Sequence, residues 1–136
     1  ILAVSDIERI SDHAENLTQY MMRLKEQKID LSPEAEKDLI EMCQAVMAAT
    51  HISIEVFAND DFDRLQEAEW LENVVDDLEE QCVDKHMERL LNNTCNPVCG
   101  VVFSDMVTDL ERCADHAVNI AFALSGKSEK HHIVKD

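Results

Sequence analysis

Apolar residues return every three or four positions along most of the chain, the spacing of a buried helical face. Ala3, Ile7, Ile10, Ala14, Leu17, Met21 and Leu24 keep a heptad and predict a helix over about 4–27. The stretch "QKIDLSPEAEK" interrupts it. There Ser32 is placed to cap a second helix, Pro33 suits its first turn, and Glu34 and Glu36 favour its positive end. That helix reaches about Ala58 and turns Leu39, Cys43, Val46, Met47, Ile54 and Phe57 toward a core. Asp60 or Asp61 can cap a third helix ending near Leu91, with Ala68, Leu71, Val75, Leu78 and Cys82 on its seam. Asn96 and Pro97 start a fourth, carrying Phe103, Met106, Leu110, Cys113, Ala117, Ile120 and Leu124 until Ser125 and Gly126 stop it. Short links between long helices favour antiparallel neighbours, so the predicted fold is all-α, an antiparallel up-down helical bundle.

One polar sentence occurs twice. "SDIERISDHAENL" (5–17) and "TDLERCADHAVNI" (108–120) share Asp6/Asp109, Glu8/Glu111, Arg9/Arg112, Asp12/Asp115, His13/His116, Ala14/Ala117 and Asn16/Asn119. Core packing asks only for apolar volume, and the seam residues Ile10 and Cys113 differ, so packing does not explain what is shared. The spacing reads as two tandem helical units. Residues 1–29 are then the last helix of a first unit, 30–127 a second three-helix unit, and 128–136 a polar tail in which His131 and His132 read as a chain end.

Successive steps of about 40° put Glu8, Asp12 and Asn16 on one strip, opposite the seam. Glu111, Asp115 and Asn119 share that geometry, and the strip is expected to face out of the bundle. Carboxylates four residues apart repel on a helix unless a cation sits with them, and hard metal ions take oxygen ligands. The third helix repeats the ExxxD spacing at Glu72 and Asp76, beside Glu69 and Glu80. Glu72, Asp76, Glu111 and Asp115 can therefore supply one metal cluster, with Asn119 at its margin. The other reading is a solvated acidic face paired with Arg9 and Arg112. His13 and His116 lie to one side of the strip and suit an interhelical hydrogen bond better than metal ligation.

Composition narrows the function. The charge of −17, from 29 acidic and 12 basic residues, opposes binding to nucleic acid or anionic lipid and attracts cations. Twelve of the acids fall between Asp60 and Glu88. No apolar run approaches the ~20 residues of a membrane span and no secretion signal is present, which predicts a soluble chain. A start inside helix-like sequence without Met predicts a fragment of something longer. The odd count of five cysteines fits a reducing compartment. Cys95, Cys99 and His86 form a weaker zinc alternative, lacking the two-residue gap and a fourth ligand. A dimetal enzyme would want inward ExxH pairs, which the strips do not have, so no enzyme is expected.

At the doubled motif the sequence resembles the PhoU family, whose tandem three-helix bundles carry an "ERxxDHxxNI"-type signature on the third helix of each unit. "KHMERLLNNTCNPVCGVVFSDMVTDLERCADHAVNI" resembles further the PhoU-like domain of bacterial sodium/phosphate cotransporters. The resemblance covers nearly the whole chain. It implies a cytoplasmic regulatory domain of a sodium-dependent phosphate cotransporter, attached to the inner membrane in the full-length protein and serving phosphate transport and homeostasis. The implied partner is the membrane transport domain of the same polypeptide, or another phosphate transporter. The alternative is a stand-alone regulator of a phosphate ABC transporter and its phosphate-sensing signalling. Iron, zinc, magnesium or another divalent or trivalent ion would bind Glu72, Asp76, Glu111 and Asp115. Glu8 and Asp12 would be half of a second site whose remaining ligands lie in first-unit helices absent from this chain. An incomplete unit also predicts a homodimer, the first helix packing against another copy. Cys113 and Ala114 replace the family's isoleucine and glycine, a departure in packing positions.

Overall fold

The computed structural model describes residues 2–126 and consists of four long helices: α1 (Leu2–Glu26), α2 (Pro33–Asn59), α3 (Leu65–Leu91) and α4 (Pro97–Phe122). The tail 128–136, with His131 and His132, lies outside the described residues. Among the described residues there is no strand, in keeping with the all-α expectation.

The helix starts follow local chemistry. The Ser32 hydroxyl accepts from the Ala35 amide at 3.1 Å, and the Asn96 side chain accepts from the amides of Val98 and Cys99, each ahead of a proline in the first turn. The expected Asp60 or Asp61 cap of α3 is corrected. Asp60 takes a left-handed conformation (φ 53°) and closes α2, its amide donating to the Val56 carbonyl, while a single 3-10 turn at Phe62–Arg64 leads into α3 without a side-chain cap.

α4 is the central helix, with α1, α2 and α3 all packed against it, and α2 also packs against α3. Seventeen of its residues are buried, including Asp109, Glu111 and His116. Met42, Val75, Val102, Val107 and Ala114 anchor one core cluster; Val56, Ala68 and Val118 anchor a second toward the other end. The second cluster sits where α2 ends and α3 begins.

The seams hold in α3 and α4 but only in part elsewhere. Ile10, Leu17 and Leu24 of α1 pack inward, whereas Ile7 and Met21 are exposed; on α2, Met47 and Ile54 are exposed while Leu39 and Val46 are buried. Leu124, expected on the last seam, lies beyond α4 and is exposed. α1 has α4 as its main neighbour, and α2 lies in the groove of α3 and α4, so on each helix part of the apolar width stays outside the contact.

α2 is long and apolar enough to cross a membrane by length and composition, which the run-length reading of the sequence did not anticipate. In this fold it is a bundle helix with one packed side and one exposed side. Its buried residues line one side against α3 and α4, and buried Asp38 accepts from Lys85 at 3.1 Å and from Arg89 at 3.5 Å on α3.

Candidate functional site

The strip on α4 does not face out of the bundle. Glu111 keeps only 7% of its surface exposed and Asp115 is half-buried, because α4 has neighbours on three sides and the ExxxD edge turns into the groove against α3. One carboxylate oxygen from each of Asp76, Glu111 and Asp115 lies within 4.8 Å of the others. Among the described residues no other three His, Cys, Asp or Glu side chains come as close together.

Three carboxylates in so small a space cannot all stay ionised without a counter-charge. Burial pushes the Glu111 carboxyl up to about 8; its hydrogen bond with Asp115 and the charges of Asp115 and Asp76 push it the same way. The three carboxylates accordingly share a proton that separate carboxylates would release, and Glu111 is the most buried of them. All-oxygen donors at this spacing match the preference of hard cations, and a cation there would displace the shared proton. Glu72, on the same flank of α3 as Asp76, is half-buried and outside the 4.8 Å group; Asn119 is half-buried on α4. Glu8 and Asp12 of α1 are exposed, and no ligand group forms around them among the described residues. His86, Cys95 and Cys99 line a common cavity without forming such a group, and all five cysteines are free thiols.

The rest of the doubled motif builds the α1–α4 contact. His13 donates from Nδ1 to Asp109 Oδ1 at 2.5 Å, and His116 donates from Nδ1 to Asp6 Oδ1 at 2.8 Å. Asn16 and Asn119 add amide hydrogen bonds of 3.4 Å to the same two carboxylates. The helices run antiparallel, so each copy of the motif supplies an acid to the other copy's histidine and asparagine. The two imidazoles stack with centroids 5.7 Å apart. The Tyr20 hydroxyl also bonds Asp109; burial first, and that acidic neighbour second, push it up to about 12.

Both histidines therefore serve as interhelical donors, the role expected of them. Asp6 and Asp109 as their acceptors were missed, although a usable signal was present. Each lies seven residues before its histidine, two turns along the same helical face, and Asn follows the histidine at three in both copies.

Comparison with known proteins fits this geometry. A family model described as the PhoU domain matches residues 39–124, which span α2 from Leu39, α3 and α4. The "phosphate-specific transport system accessory protein PhoU homolog 1" of Thermotoga maritima is 26% identical over 133 residues, covering 95% of this chain and 56% of that protein. The chain thus spans about half the length of this curated relative. No solved structure gives a significant match. With a domain match over most of its length, three antiparallel helices in that region and the motif repeated on α1, the chain belongs to the PhoU domain family.

Proposed function

We propose that this chain is a non-enzymatic regulatory module of a phosphate-uptake system, acting in the cytoplasm on a phosphate transporter, and that a hard metal ion is part of how it works. The observation that carries the metal reading is the close approach of Asp76, Glu111 and Asp115 on the facing flanks of α3 and α4. Those three would hold the ion, with Glu72 as a fourth donor. When bound, it would neutralise the group and tie α3 to α4.

Two contexts compete. The accessory-protein context is the better supported, since the relative in Thermotoga maritima is named as an accessory protein of phosphate-specific transport. The cotransporter context rests on the wording of residues 85–120 alone. In either context α1 is read as the last helix of a first unit, with Glu8 and Asp12 as half of a second carboxylate site.

Elemental analysis of protein purified without chelator tests the site. The native chain should retain metal that Glu111→Gln with Asp115→Asn loses, and equal content in both removes the assignment. Phosphate uptake in cells lacking the gene, complemented with native or double-variant protein, tests the regulatory role separately; uptake unchanged by deletion would defeat it.

A further inference from the structure

The outer face of α3 carries a pattern that neither the core nor the carboxylate group uses. Trp70, Asp77, Asp84 and Leu91 stand seven residues apart, and Glu80 and Met87 fall between them on the same side. All six are exposed. Trp70, the only tryptophan of the chain, is 62% exposed and Leu91 78%. α3 packs on α2 and α4, whereas α1 packs on α4, so this face looks away from the whole bundle.

The charge of the face is one-sided. The two basic residues of α3, Lys85 and Arg89, both turn toward Asp38 on α2, leaving the acidic middle of the stripe without a cation from its own helix. The stripe thus has an apolar anchor at each end and three carboxylates between, over roughly 32 Å at 1.5 Å per residue.

We propose that this face docks a basic amphipathic helix of a partner protein. Lys or Arg side chains at its centre would meet Asp77, Glu80 and Asp84, and apolar residues at its ends would cover Trp70 at one end and Met87 and Leu91 at the other. Helix-on-face recognition reads anchors at this spacing, and an exposed tryptophan is a typical centre of binding energy. A second copy of this chain would bring the same acidic stripe against itself, and an anionic membrane would meet the same repulsion. The inference does not depend on metal binding or on phosphate.

A synthetic amphipathic helix of about six turns tests it, with Lys at the central outward positions, Leu at the end positions and a fluorescein label. Titrated with the full chain, it should bind saturably, shift Trp70 emission to the blue and weaken at least tenfold between low and high salt. Asp77→Lys with Asp84→Lys, and separately Trp70→Ala read by anisotropy, should each weaken binding at least tenfold while leaving the far-UV spectrum and melting temperature unchanged. Equal affinity for the Lys pair, an unmoved tryptophan emission, or equal binding of a peptide with Glu at the central positions would overturn the proposal. So would a dimer in sedimentation that Trp70→Ala dissociates, since the occupant would then be a second copy.

Discussion

Replacing Glu111 by Gln should make the metal-free protein less sensitive to pH. In the fold this carboxyl is buried beside Asp115 and Asp76 and is pushed up to about 8 from an ordinary 4.5. A carboxyl raised on folding stabilises the folded state most below its unfolded value, because the fold keeps a proton that the unfolded chain releases. That contribution declines as pH rises from about 4.5 to about 8 and is gone above. At ~1.36 kcal/mol per tenfold change in proton affinity, a rise of that size would be worth several kcal/mol in a fully dry site. Water at the half-buried Asp115 and exposed Asp76 reduces this to on the order of 2–3 kcal/mol. Glutamine keeps the shape and stays neutral. Between pH 5 and pH 8.5 the native chain should therefore lose on the order of 2–3 kcal/mol more stability than Glu111→Gln, roughly 10 °C in melting temperature for a chain of this size. Urea titration followed by circular dichroism, with chelator and reductant present, measures it for both proteins at both pH values. Parallel pH profiles for native and variant would refute the close packing of Glu111 with Asp115 and Asp76.

Three further outcomes follow from the packing. Asp109→Ala removes the acceptor of His13, Asn16 and Tyr20 together and should destabilise by about 2–3 kcal/mol, and a cycle with His13→Ala should show coupling above about 1 kcal/mol; additive effects would mean the pair does not interact. Gly100→Ala, ordinarily a gain of about 1 kcal/mol inside a helix, should instead destabilise, since a Cβ there would stand 2.7 Å from His86 Cε1. A raised melting temperature for that variant would show that His86 moves freely. Ser32→Ala should cost about 1 kcal/mol in urea titration through loss of the α2 cap, while Asp61→Ala, at the uncapped entry to α3, should cost less; the reverse order would contradict the observed caps.

Much of the bundle was legible in the sequence because helix periodicity and caps are local properties. Ser32 with Pro33 and Asn96 with Pro97 each announced a helix start that formed. Asp60 did not behave as expected, because aspartate suits both an N-cap and a left-handed helix end, and the sequence alone does not say which the chain needs. The direction of the acidic strip was misjudged for a different reason. A helical wheel assumes one buried face, but α4 is enclosed by three helices, and only tertiary placement turns Glu111 inward while leaving Glu8, its counterpart in the repeat, exposed. For His13 and His116 the seven-residue spacing marks Asp6 and Asp109 on the same face, but which helix each one meets, about a hundred residues away in the chain, is again a matter of tertiary placement.

The crossed Asp–His pairs also bear on the order in which the chain assembles. They join residues 96 and 110 positions apart, whereas α2, α3 and α4 meet through short links. α1 has α4 as its main helical partner, yet Gln27–Ser32 joins it to α2, so its docking must wait for α4 to be in place. It is correspondingly the helix that can come away as a unit, exchanging its amide hydrogens at a lower free energy than the core of α4. Detachment would expose Asp109 and His116 together, on a surface shaped to receive the same motif again.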